Sequence, residues 1–153
     1  MAVHTIKTVQ KIPGSLDKAW EFFSNPANLQ IITPPGMCFK IISRHHGATM
    51  YAGQIIEYKV KPFAGITVSW MTEITVVKNR EYFVDVQRLG PYKLWHHQHH
   101  FKEIPGGVEM TDIVHYKLPL GFIGRLANSF YIKKKPVGIF NFRHQKVVEI
   151  FGR

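Results

Sequence analysis

The stretch YFVDVQRLGPYKLWHHQHHFKEIPGGVEMTDIVHYKL, residues 82–118, decides the fold of this chain. Apolar and polar side chains alternate through most of it with a period of two, which is typical of β-strands with one buried face. Gly90-Pro91 and Pro105-Gly106 interrupt the alternation with residues that favour turns. We therefore predict three consecutive antiparallel strands, over Tyr82–Leu89, Lys93–Ile104 and Val108–Leu118.

Upstream of this stretch, similar patterning predicts four further strands. They are Val3–Ile12, Cys38–Arg44, Gln54–Lys61 and Thr67–Val77, with turn signals at His46-Gly47, Ala64-Gly65 and Lys78-Asn79. Between the first two strands the period becomes helical. Ser15 is a favoured N-cap and predicts a short helix through Phe23, and Asn25-Pro26 begins a second helical turn over Ala27–Ile32.

The C-terminal part of the chain is helical in pattern. Phe140, Val147 and Phe151 recur near helical spacing and predict an amphipathic helix over Val137–Phe151, with Pro136 in its first turn. A crossing over Leu118–Phe122 and a helical lead-in over Ile123–Ile132 precede this helix. We expect Arg143 on it to be solvated or paired, or to reach the mouth of a cavity.

An antiparallel sheet of seven strands twists and curls, and its apolar concave face has to be covered. We therefore expect an α+β fold in which a curved seven-stranded antiparallel sheet wraps a long C-terminal helix, with two short helices after the first strand. Residues 1–153 are expected to form a single domain. The space between sheet and helix is the candidate binding cavity.

Composition narrows the possible partners. The chain has 153 residues, 45% of them hydrophobic, and a net charge of +10. Its basic residues are scattered, apart from the run Lys133–Lys135, which favours a solvated basic surface over a nucleic-acid interface. Transient contact with an anionic membrane stays possible. No apolar run reaches the length of a membrane span and no secretory leader is visible, so we expect a cytoplasmic protein. We expect Cys38 to be a small buried hydrophobic residue.

Strand parity assigns a set of side chains to the concave face, where they would contact a ligand. The predicted ligand-binding residues are Trp70, Phe83, Asp85, Gln87, Trp95, His97, His99, Asp112 and Tyr116. The two tight turns fix the expected cross-strand pairs. These pairs are Asp85 with His97, Gln87 with Trp95, His99 with Asp112, and Trp95 with Tyr116.

The two aspartates and two histidines of this set have three alternative roles. Buried Asp and His side chains often satisfy each other, which would make Asp85, His97, His99 and Asp112 a structural network. They could instead orient a ligand, or His97 or His99 could act as a general acid or base. A metal would also need carboxylate ligands from neighbouring strands, and the spacing matches no standard motif, so we expect neither a metal nor a cofactor.

Several short segments of the sequence, spread over essentially the whole chain, resemble those of one superfamily. They include Trp20–Leu29, Ile32–Pro35, Trp70–Ile74, Trp95–His99 with Phe101, Met110–Asp112, and Ile139–Arg143. They are similar to the START-like or Bet v 1-like helix-grip superfamily, in its SRPBCC or polyketide cyclase/dehydrase branch. The resemblance implies the helix-grip fold and a deep apolar cavity for lipids, sterols, polyketides or similar molecules. Pro136 and Gly138, inside the expected gripping helix, depart from the pattern.

These observations lead to three functional hypotheses. The leading one is a non-enzymatic binding module whose cavity holds a small hydrophobic molecule. The alternative is an enzyme of the cyclase or dehydratase kind, in which a cavity His/Asp pair moves protons. A docking role of the basic exterior at a membrane or an acidic partner is a third possibility.

Overall fold

The computed structural model describes residues 3–44, 49–63, 65–118 and 129–152. Its first half contains β1 (His4–Pro13), α1 (Leu16–Phe23), 3₁₀ turns at Pro26–Gln30 and Pro35–Met37, β2 (Lys40–Ile41) and β3 (Ile55–Phe63). Its second half contains β4 (Ile66–Lys78), β5 (Tyr82–Leu89), β6 (Leu94–Ile104), β7 (Gly107–Lys117) and α2 (Ser129–Phe151). Among these helices, none is long and apolar enough to cross a membrane.

The strands form one seven-stranded antiparallel sheet in the order β1-β7-β6-β5-β4-β3-β2. Strands β3 to β7 form a meander, and β1 pairs with β7 along the full length of β1. Helix α2 is joined to the sheet at β1, where the Gln10 side-chain amide donates to the backbone oxygen of His144 at 3.0 Å. The α+β fold predicted from the strand pattern is therefore confirmed.

The short helix α1 forms for the reasons that its sequence suggests. The Ser15 hydroxyl accepts a hydrogen bond from the backbone N–H of Lys18, which caps the first turn. Ala19, Trp20 and Phe23 are buried on one face. The Trp20 ring meets Phe101 edge-on, with centroids 5.5 Å apart, so α1 closes one end of the core.

The segment after α1 differs from its prediction. The second helix is a 3₁₀ turn over Pro26–Gln30, capped by the Asn25 side chain. The strand predicted over Cys38–Arg44 contains only Lys40–Ile41, because a second 3₁₀ turn precedes it and Cys38 has a left-handed backbone with φ 45°. Cys38 is also exposed, so the expectation that it is buried was wrong.

Helix α2 is longer than predicted. It begins at Ser129, so Pro136 lies inside the helix and is buried, instead of occupying the first turn. A proline at this position has no N–H to donate along the helix. The predicted crossing beyond Leu118, the lead-in as far as residue 128, and the turn positions His46-Gly47 and Ala64 lie outside the described residues.

Candidate functional site

A cavity of about 130 Å³ lies between the concave face of the sheet and α2. Its wall is mainly aliphatic and aromatic. Among the lining residues are Leu29, Ile32, Phe39, Ile56, Val60, Trp70, Ile74, Phe83, Tyr92, Trp95, Ile139 and Phe140. A wall of this composition favours the apolar part of a small molecule.

Strand alternation aims the aromatic wall inward. Along β4, Trp70, Thr72 and Ile74 are buried while the residues between them are partly exposed, as a period of two requires. The Trp70 ring then packs edge-on against Trp95, with centroids 5.5 Å apart, and against Tyr92 at 5.6 Å. Two different strands and a turn therefore contribute to one aromatic surface.

Thr72 is a polar residue in this aromatic region, and its hydroxyl oxygen is hydrogen-bonded to two aromatic side chains. The Trp70 indole N–H donates to Thr72 Oγ1 at 3.1 Å, and the Tyr58 hydroxyl is hydrogen-bonded to the same atom at 2.8 Å. Burial, together with the nearby Asp85 charge, raises the pKa of Tyr58 far above its ordinary value. Tyr58 is therefore a neutral hydrogen-bonding group.

The polar end of the cavity is built from two carboxylates and two imidazoles in contact. His97 Nε2 lies 2.7 Å from Asp112 Oδ1, and His99 Nε2 lies 2.7 Å from Asp85 Oδ2. The other nitrogen of each ring faces the other carboxylate. His97 Nδ1 is 3.6 Å from Asp85, and His99 Nδ1 is 3.0 Å from Asp112 but misaligned for a hydrogen bond. The ring centroids are 3.7 Å apart.

Burial and charge shift the pKa values of the two histidines in opposite directions. Burial, and then the charge of His99, lowers the pKa of His97 to about 4. Burial also disfavours a charged His99, but the carboxylates of Asp112 and Asp85 outweigh that effect and raise its pKa. The pKa values of both aspartates are lowered, since their histidine partners outweigh burial. His97 is therefore neutral at pH 7, whereas His99 holds a proton more readily than a free imidazole.

Helix α2 contributes a buried arginine to the same end of the cavity. The Arg143 side chain is only 10% exposed and its Nη1 lies 3.8 Å from Asp112 Oδ1. The guanidinium carbon sits over the Phe140 ring, 5.3 Å from its centroid. Of the alternatives expected for this residue, pairing and reaching the cavity are correct, and solvation is wrong. Arg143 thus adds a positive charge beside the two carboxylates.

The predicted site residues divide into two groups. Trp70, Phe83, Asp85, Trp95, His97 and His99 line the cavity. Gln87, Asp112 and Tyr116 lie behind the lining. Asp112 holds the two imidazoles from the side away from the cavity, and the Gln87 amide donates to the backbone oxygen of Tyr92 at 2.6 Å, which positions the Tyr92 ring.

Sequence reasoning did not list Tyr58, Thr72, Tyr92 or Arg143 as site residues, although all four line the cavity. A signal for Arg143 was present. Pro136, Phe140 and Val147 are the apolar members of the buried stripe of α2, and Arg143 occupies the position between Phe140 and Val147 on that stripe. A charged residue on an apolar stripe indicates a buried partner or a binding role.

Asp85, His97 and His99 have donor atoms within 4.8 Å of one another, so they could be considered metal ligands. The two imidazole rings are tilted by 34° to each other, and one nitrogen of each already lies 2.7 Å from an aspartate oxygen. The prediction that these residues hold no metal stays a prediction.

The geometry described above can be compared with known proteins. No protein-family model and no curated protein sequence matches this chain. Solved structures do match. Protein CV1439 from Chromobacterium violaceum has a TM-score of 0.70 and 14% identity, with 97% of this chain and 98% of that chain covered.

Two similar structures are named for biosynthesis. BexL, a di-domain ARO/CYC protein of the BE-7585A biosynthetic pathway, has a TM-score of 0.67 and 12% identity, covering 95% of this chain and 50% of that chain. A Thalictrum norcoclaurine synthase, solved with a transition-state analogue, has a TM-score of 0.63 and 15% identity, covering 97% and 96%. At such identities the likeness establishes the fold. The chain has the helix-grip fold that its sequence resemblance implied, and it shares this fold with these structures.

Proposed function

We propose that residues 1–153 form one binding module for a small hydrophobic molecule, held in the cavity with its polar end toward the His–Asp–Arg cluster. The observation that carries this proposal is the composition of the wall. It is aromatic and aliphatic over most of its area, and its Asp, His and Arg side chains, which are Asp85, His97, His99 and Arg143, meet at one place. Such an arrangement suits a ligand with an apolar body and one polar group.

The cavity volume limits the size of the ligand. Sites for drug-sized molecules are typically about 300–1,000 Å³, and an engineered cavity of about 150 Å³ binds benzene. At about 130 Å³, this cavity matches a ligand with one aromatic ring. A sterol or a long acyl chain would require the lining side chains to move apart.

Apolar contact alone gives such a ligand weak affinity. Removing about 200 Å² of apolar ligand surface from water contributes about 5 kcal/mol, which corresponds to a dissociation constant of about 0.1–1 mM even before the cost of immobilising the ligand. We therefore expect the polar cluster to supply much of the affinity and most of the selectivity.

Filling the cavity with a side chain is expected to abolish binding. Ile139 lines the cavity from α2, and Ile139→Trp places a bulky ring in the space that a ligand would occupy. Val137, on the same helix, is 46% exposed, so Val137→Trp is the matched control and should bind as the unmodified protein does. Isothermal titration with small aromatic acids, amides and alcohols measures the difference. Equal binding by the Ile139→Trp variant would remove this cavity as the site.

A second candidate function is acid–base catalysis of the cyclase or dehydratase kind. The observation that favours it is His97, which is neutral, lines the cavity, and is oriented from behind by the Asp112 carboxylate at 2.7 Å. An imidazole held in this way can accept a proton from a bound carbon acid. His99 lies beside it with a raised pKa, and in its protonated form it can stabilise the negative charge that develops.

This second function predicts a measurable proton exchange. With phenylacetone in D₂O, the protein should speed deuterium incorporation next to the carbonyl well above the buffer rate, as followed by proton NMR. His97→Gln should return the rate to background. The exposed His144 provides the control, since His144→Gln should leave the exchange rate unchanged. Exchange at the buffer rate in the unmodified protein would leave binding as the better proposal.

A further inference from the structure

We propose that the ligand carries a carboxylate, and that Arg143 binds this group at the polar end of the cavity. The inference rests on the binding function proposed above and adds the chemical class of the ligand: a small aromatic or aliphatic acid. Arg143 would be the residue that determines this specificity.

The Arg143 side chain has unsatisfied hydrogen-bonding capacity. Its side chain is nine-tenths buried and lines the cavity, and Nε has no hydrogen-bond partner among the described residues. A buried N–H without an acceptor costs about 1–3 kcal/mol. An acceptor group on a ligand in the cavity would remove that cost.

The positive charge of the Arg143 guanidinium is only partly neutralised by the nearby carboxylates. The nearest carboxylate oxygen, Asp112 Oδ1, is 3.8 Å from Nη1, beyond hydrogen-bond distance. That same oxygen already accepts from His97 Nε2 at 2.7 Å and has His99 Nδ1 at 3.0 Å. Asp85, the other carboxylate at the site, is occupied by His99 at 2.7 Å. Arg143 therefore has positive charge available for a further anion.

The shape of the Arg143 guanidinium also favours a carboxylate. A guanidinium is a planar fork of N–H donors that matches the two oxygens of a carboxylate, whereas a single carbonyl oxygen uses only part of it. The Phe140 ring lies against the guanidinium and holds it in place, 5.3 Å away. A preorganised fork beside an aromatic wall fits an arylalkanoic acid.

The test uses an acid and its uncharged isostere. We expect 3-phenylpropanoate to bind the unmodified protein at pH 7 at least tenfold more tightly than 3-phenylpropanamide, measured by isothermal titration. Arg143→Met, which keeps the length and apolar contacts of the side chain, should lose this acid-over-amide preference while still binding the amide. Arg143→Lys, which keeps the charge without the fork, should retain part of it.

Lys146 provides the matched control on the same helix. Its ammonium pairs with Glu149 on the surface, and Lys146→Met removes one positive charge without touching the cavity. This variant should keep the full acid preference. Loss of the preference in Lys146→Met as well would mean that general surface charge attracts the acid, and would overturn the role given to Arg143.

The remaining outcomes separate this inference from the proposed function. Equal binding of acid and amide by the unmodified protein would overturn the inference and leave a binding cavity. Binding of neither probe would overturn the proposed function and the inference with it. If Arg143→Met does not fold, the acid-to-amide ratios of the unmodified protein and of Arg143→Lys decide the question.

Discussion

Replacement of Asp112 by alanine is expected to lower the free energy of unfolding at pH 7 by about 3–5 kcal/mol, which is the range for removing one partner of a buried ion pair. Asp112 is buried and holds three cationic or polar groups: His97, His99 and Arg143. Without its carboxylate, only Asp85 of the cluster's two carboxylates would remain beside the Arg143 guanidinium and the two imidazoles. The measurement is chemical unfolding in urea, followed by tryptophan fluorescence.

Asp17 supplies the control for this substitution. Its carboxylate forms an ion pair with Arg80 at 2.8 Å, but both side chains are more than half exposed. Asp17→Ala should therefore cost less than about 1 kcal/mol. Asp112→Asn, which keeps the shape and one acceptor oxygen, should fall between the two. A loss for Asp112→Ala no larger than that for Asp17→Ala would mean that the buried cluster does not stabilise the fold.

Acidification from pH 7 to pH 4 is expected to reduce stability by about 3 kcal/mol through His97 alone. The unfolded chain protonates this histidine below about pH 6.5, whereas the folded chain does so only near its pKa of about 4. Between these values the unfolded state binds more protons, so stability falls as the pH falls. The aspartates, whose pKa values are depressed, add their loss only below about pH 4.

The contribution of His99 to stability has the opposite pH dependence. Its pKa is raised in the folded state, so its contribution is present below about pH 6.5 and is lost as the pH rises through the folded value. The two histidines together predict greatest stability near neutral pH. Unfolding free energies from pH 4 to pH 9 test this profile, and His97→Gln should remove the decline on the acid side. An unchanged acid decline in that variant would assign it to other groups.

The strand pattern predicted the concave face well because side-chain direction in a strand depends only on position. Once the turns at Gly90-Pro91 and Pro105-Gly106 fix the register, His99 must lie opposite Asp112 and Trp95 opposite Tyr116, and both pairs are present. The pair Asp85 and His97 is also present. The polar cluster could therefore be placed on the inner face from local rules.

The predictions that were wrong depend on contacts between distant segments or on backbone states that the patterns do not encode. The strand after Cys38 is short because that residue takes a left-handed conformation, which alternation alone does not reveal. Along β4, a register shift after Ile74 moves Val76 outward, so strict alternation fails there. Arg143 is buried because Asp112 and the cavity lie beneath α2, and helix periodicity does not specify what a helix covers.

The pairing of β1 with β7 has a consequence for biogenesis. Strand β1 finds its neighbour only when the strand at residues 107–117 has been made, since His4 pairs with Tyr116 and Pro13 with Gly107. Until then the edge of β1 is unpaired and open to other chains. Such long-range pairing slows folding, so we expect nascent chains of this protein to need protection from aggregation until β7 has been synthesised.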